Sequence, residues 1–122
     1  MYYNSANAYK TYEENNITTA DSGKLLLMLY DGSIKFCRFA EIALEEKDNT
    51  LKNYYLIRTQ AIVEELMVTL NMSAGEIAED LNSLYSFMLS ELIQVNIKND
   101  IEKLKIIREM LEELRETWSR IM

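Results

Sequence analysis

The sequence predicts an all-α fold: an antiparallel up-down four-helix bundle with an N-terminal cap segment. Three observations carry this. The 122 residues include no proline and only three glycines, too few turn residues for an all-β chain. Four stretches of similar length show helical apolar periodicity. Short polar connections separate them, which places successive helices antiparallel. One domain spanning 1–122 is expected at this length. A hydrophobic content of 48% is compatible with a packed core and argues against disorder.

Residues 1–20 lack sustained periodicity, and Asn4, Ser5, Asn7, Asn15, Asn16, Thr18 and Thr19 favour an irregular tail. Yet Tyr2, Tyr3, Tyr9, Tyr12 and Ile17 are costly to leave in water. Tyr9 and Tyr12 would share one side of a helical turn. Two readings stand: a solvated tail, or a segment that docks on the body.

Helix 1 is expected over 22–46, with Asp21 as its N-cap because a carboxylate there accepts a first-turn amide. Its apolar side chains, Leu25, Met28, Tyr30, Phe36 and Phe39 among them, cover an arc of roughly 240° at about 100° per residue. A core-facing helix needs little more than about 100°. Gly32 lies in this arc and costs about 1 kcal/mol relative to alanine, which close approach by another helix would offset. The excess suits a central helix surrounded by its own bundle or one that also faces a partner.

Lys47 to Thr50 forms the first turn, with Asn49 or Thr50 as the next cap. Helix 2 is expected over 51–70 with two apolar faces. Tyr55, Leu56, Ile62, Val63, Leu66, Met67 and Leu70 make a broad one; Tyr54, Ile57, Ala61 and Val68 make a narrow second stripe flanked by Glu64 and Glu65. A bundle core requires only the first.

After a loop at Asn71 to Gly75, helix 3 is expected over 76–95, with a single apolar face that includes Ile77, Ala78, Leu81, Tyr85, Met88 and Leu92. Phe87 and Ile93 fall outside that stripe. Helix 4 is expected over 100–120, capped by Asn99 with Glu102 at the third position. Leu104, Ile107, Met110, Leu111, Leu114, Trp118 and Ile121 line its core face. Its charged face is expected to be solvated, with pairs such as Glu112–Arg115 and Glu116–Arg120.

The chemistry of the chain excludes several function classes. Thirteen basic against twenty acidic residues give a net charge of −7, which disfavours nucleic acid and anionic lipid as partners. The chain has no histidine and one cysteine, Cys37, so the commonest general base and structural zinc sites are missing. No glycine-rich phosphate loop is present. We expect no catalysis, no metal and no cofactor. Cys37 sits in an apolar helical context, where a buried inert thiol is expected. No secretory signal and no membrane span is visible; the longest apolar run, Leu25 to Tyr30, is far short of the ~20 residues needed.

The segment Thr19 to Phe36, TADSGKLLLMLYDGSIKF, resembles the start of the first helix of the FliS family of flagellin-specific export chaperones. Further similarities follow in order: Ala8-Tyr9 and Tyr12, Glu45 to Asp48, Ala61 to Leu66, Leu70-Asn71, Asn96 to Asp100, and Leu114 to Trp118. The ordered set covers nearly the whole chain. It departs from the family pattern at Asp21-Ser22, which lacks the usual proline after the cap.

This resemblance implies a cytoplasmic, non-enzymatic chaperone that binds the disordered C-terminal segment of flagellin and prevents its polymerisation before flagellar export. It also implies contacts of some members with the export gate or a co-chaperone, and an N-terminal segment that covers the client surface. The candidate partner-binding residues are Tyr9, Tyr12 and Ile17 in the tail, Leu25, Met28 and Phe39 on helix 1, and Tyr54, Ile57, Ala61 and Val68 on helix 2. A monomer or weak dimer is expected. The alternative is a structural helical homo-oligomer, or an adaptor for another flagellar regulator, whose extra apolar faces meet other chains.

Overall fold

The computed structural model of the chain describes residues 19–121. These form α1 (Thr19–Glu45), α2 (Asn49–Val68), a 3-10 turn (Met72–Ala74), α3 (Glu76–Lys98) and α4 (Ile101–Ile121). α1 packs on α2 and α4, and α3 packs on α2 and α4. The helices therefore stand in chain order around a square, the expected four-helix bundle. α1 and α3 face each other across its diagonal.

Each helix contributes its apolar stripe to one core. Tyr30, Cys37 and Ala40 enter from α1, Leu56, Val63 and Leu66 from α2, Tyr85, Met88, Leu92 and Val95 from α3, and Leu104, Ile107 and Leu111 from α4. Ile77 and Ile121, expected in the core stripes of helices 3 and 4, are instead exposed, because they lie in the terminal turns of α3 and α4.

The helix ends differ from the sequence expectation by up to three residues, for identifiable reasons. Asp21 lies inside α1 and is not its N-cap. Asp48 caps α2, its Oδ1 accepting the Leu51 N–H at 3.1 Å, so neither Asn49 nor Thr50 serves. Asn99 is the left-handed C-cap of α3 (φ 55°), and the cap of α4 falls on Asp100, whose Oδ1 accepts the Lys103 N–H at 3.1 Å. Glu102 therefore does not occupy the capping-box position. Lys47 (φ 58°) ends α1 in the same left-handed way: its N–H donates to the Leu44 carbonyl at 3.2 Å and that of Asp48 to Ala43 at 2.9 Å. Gly75 leads into α3 at φ 80°, ψ −134°, a region natural to glycine.

Three consecutive residues, Tyr30, Asp31 and Gly32, tie α1 to the other three helices. The Tyr30 hydroxyl is hydrogen-bonded to that of Tyr85 on α3 and accepts the Trp118 indole N–H at 3.1 Å. Arg115 Nε on α4 donates to Asp31 Oδ1 at 2.9 Å. A Cβ on Gly32 would lie 3.2 Å from Ile62 Cδ1 on α2, the close helix approach that the glycine foreshadowed.

The charged face of α4 is not simply solvated. Arg108 Nε donates to Glu41 Oε2 of α1 at 2.6 Å, and its Nη1 to Glu112 at 3.1 Å. Arg38 also pairs with Glu112. Glu116–Arg120 forms at 3.5 Å, but the expected Glu112–Arg115 pair does not, since both partners bond to α1. At the opposite corner, Lys52 is buried and donates to the Asn96 carbonyl at 3.0 Å and to Asn99 Oδ1 at 2.6 Å, clasping the α3–α4 turn to α2. The carbonyl end of a helix is a favourable site for that cation. Cys37 is fully buried, and burial pushes its thiol up to about 12.

Candidate partner-binding surface

Along α1, positions 25, 28, 32, 35, 39 and 42 alternate by three and four, so they form one line on the helix surface. Leu25, Met28, Phe39 and Ile42 on this line are exposed. Along α2, Leu51, Tyr54, Ile57, Ala61 and Val68 follow one face, and all are exposed. The two lines run side by side because α1 and α2 are adjacent and antiparallel.

Aromatic contacts join the lines. Tyr55 stacks on Phe36 with ring centres 6.0 Å apart and lies 5.1 Å from Phe39; Tyr54 meets Tyr55 edge-on at 5.3 Å. Phe36 and Phe39 are 6.4 Å apart in a T-shaped arrangement. Such pairs add about 0.5–1.5 kcal/mol each beyond area burial, so the cluster is a firm platform. Two cations frame it. Lys35 Nζ is 5.1 Å from the Phe36 ring centre, and the Arg58 guanidinium is 5.6 Å from Phe36 and 6.0 Å from Tyr54.

Of the sequence candidates, the structure brings Phe39 and Tyr54 into this cluster through Tyr55, with Ile57 one turn beyond Tyr54. The register set by Gly32–Ile62 and Phe39–Tyr55 puts Leu25 and Met28 level with Val68 at the other end of the two helices. Ala61 lies between. Tyr9, Tyr12 and Ile17 lie outside the described residues. Helical periodicity puts Tyr55 on the broad face of helix 2 and Phe36 in the wide apolar arc of helix 1, and does not single out Arg58, Ile42 or Leu51. The available signals were a cation four residues after Tyr54, and apolar residues three positions after Phe39 and before Tyr54.

Phe87 and Ile93, which fall outside the core stripe of helix 3, are exposed, and Ile97 on α3 and Ile106 on α4 add to them beyond the single faces expected. Phe87, Ile106 and Ile107 line a cleft of about 320 Å³ together with Glu91 and Lys103, which are joined by a 2.6 Å ion pair. That cleft has one aromatic ring and is short. The α1–α2 band is longer and carries four contiguous rings. Among the described residues, no helix is long and apolar enough to cross a membrane, and no cluster of acidic or thiol groups is arranged to hold a metal.

A family model described as "Flagellar protein FliS" matches residues 5–122. The flagellar secretion chaperone FliS of Bacillus subtilis (strain 168) is 39% identical over 114 residues, covering 93% of this chain and 85% of the relative. That of Campylobacter jejuni is 31% identical over 115 residues, covering 93% and 90%. That of Salmonella typhimurium (strain LT2) is 30% identical over 110 residues, covering 88% and 82%.

Proposed function

Because the chain belongs to the flagellar protein FliS family, we propose that it is a flagellar secretion chaperone, one that acts by holding a client and not by catalysis. The client in this reading is the C-terminal segment of flagellin, disordered when free and held in the cytoplasm until export.

One observation carries the reading: apolar and aromatic side chains are exposed along adjacent lines of α1 and α2, outside the core that all four helices already share. A monomer seldom leaves such a band uncovered without a use for it. An amphipathic client segment folding onto the band is helix-in-groove recognition. Ordering the client costs about 2–5 kcal/mol or more. Apolar burial at about 25 cal/mol per Å² offsets this only if the contact is extensive, which the length of the band permits. In the free protein, the segment with Tyr9, Tyr12 and Ile17 is the proposed cover.

Calorimetric titration with the flagellin C-terminal segment tests the proposal, alongside light scattering of the free chain. Saturable binding by a monomer, with a strongly negative heat-capacity change, is expected. A tight dimer indifferent to the segment would overturn it in favour of a structural homo-oligomer built on the same band.

A further inference from the structure

Arg58 differs from every other arginine in the chain. The sequence holds five. Arg38 pairs with Glu112, Arg108 with Glu41 and Glu112, Arg115 with Asp31, and Arg120 with Glu116. Arg58 has no carboxylate among the described residues, although the chain has a surplus of acidic groups. It is exposed on α2 and stacked over Phe36 and Tyr54, with Lys35 on the same Phe36 ring. The aromatic cluster on this acidic protein thus carries two cations, Lys35 and Arg58.

We infer that Arg58 reads a carboxylate on the client: the bound segment carries an aspartate or glutamate beside the apolar side chains that cover Phe36 and Tyr54. This rests on the reading of the α1–α2 band as the client site. The physical reason is desolvation. A client lying on these rings removes water from the guanidinium, and an unpaired cation there opposes binding. A carboxylate in the right register removes that penalty and accepts paired N–H bonds from the planar fork, which aromatic stacking holds in place. A segment shifted by one helical position would leave the cation unpaired. Arg58 thereby sets register and selectivity, while the rings supply contact area.

The test is a double-mutant cycle. Wild type and Arg58→Met are titrated with the flagellin C-terminal segment and with versions in which each Asp or Glu is replaced singly by its amide. Arg58→Met is expected to weaken binding about 3- to 10-fold at low salt, and less at high salt. One amide replacement should weaken wild-type binding by the same factor and have no further effect on Arg58→Met. Arg58→Lys should retain part of the affinity. Thermal melting of each variant checks that the bundle is intact, as an exposed side chain allows. Unchanged affinity of Arg58→Met would overturn the inference. So would losses additive with every amide replacement, which would make Arg58 a support for the rings alone. Glu13→Gln and Glu14→Gln are cycled with Arg58→Met in the same way, and coupling there in place of a client residue would overturn the inference too, by assigning Arg58 to the N-terminal cover. Absence of binding by wild type would overturn the chaperone reading and this inference with it; binding without coupling overturns the inference alone.

Discussion

The hydroxyls of Tyr30 and Tyr85 are hydrogen-bonded to each other in the bundle core, joining α1 to α3 across the diagonal. Trp118 adds its indole N–H to the same Tyr30 oxygen at 3.1 Å. Tyr30 is therefore the hub, and Tyr85 and Trp118 each depend on it. A buried polar group that loses its partner costs about 1–3 kcal/mol, whereas a satisfied hydrogen bond contributes about 1.

Tyr30→Phe should consequently destabilise the protein more than Tyr85→Phe. The first leaves the Tyr85 hydroxyl and the Trp118 N–H unpaired; the second leaves Tyr30 still bonded to Trp118. Losses of roughly 2–3 and about 1 kcal/mol are expected from urea unfolding. The reverse order would contradict the hub assignment.

Stability should fall at alkaline pH, beginning with Cys37. Burial raises its thiol from 9.0 to about 12, with the nearby Glu41 charge acting in the same direction. Burial also raises the Tyr30 and Tyr85 hydroxyls above their ordinary 10.0. These groups stay protonated in the fold and ionise in the unfolded chain at their ordinary values. Their contribution is complete below pH 9.0 and is lost as pH rises towards the folded values. In Cys37→Ala the decline should begin only near pH 10.0, where the tyrosines take over. Urea midpoints measured across this range check the difference; identical profiles would refute it.

Two arginine–carboxylate pairs between α1 and α4 should differ in weight. The Arg108 and Glu41 side chains are 16% and 11% exposed, whereas those of Arg115 and Asp31 are 35% and 56% exposed. Removing one partner of a sheltered pair leaves a charge without compensation, at about 3 kcal/mol or more, while an exposed pair contributes less than about 1. Arg108→Met should therefore lower the melting temperature well beyond Arg115→Met. Equal effects would mean that Glu41 finds water or another donor once Arg108 is gone.

On the proposed client surface, Ile57→Asp should impair flagellin binding more than folding. Ile57 is 51% exposed, so the charge remains hydrated in the free protein and is desolvated only under a client. A loss of at least about tenfold in affinity with a stability change within ±0.5 kcal/mol is expected. A large drop in melting temperature with normal affinity would assign Ile57 to packing.

Deleting residues 1–16 should raise the binding of a dye that reports exposed apolar surface, and should strengthen the client by removing a competitor for the band. Unchanged dye binding together with unchanged affinity would exclude the segment as a cover.

The four helices, their order and most of their core residues were legible from the sequence. The periodicity of each segment marks its buried side, as in the Leu104, Ile107 and Leu111 stripe. The second stripe of α2 was legible for the same reason, because an apolar face beyond core needs stands out locally. Gly32 pointed to a close helix approach without showing that Ile62 makes it. What the tertiary structure alone decided was partnership. Asp31 and Arg115 are 84 positions apart, and Tyr30 and Tyr85 are 55 apart. Helical periodicity says which way a side chain points but not which residue of a neighbouring helix stands opposite. That depends on the relative rotation and register of helices, set by packing of the whole core. For the same reason Arg58 looks like any surface arginine in the sequence, and becomes distinctive only once the fold has given every other arginine a carboxylate.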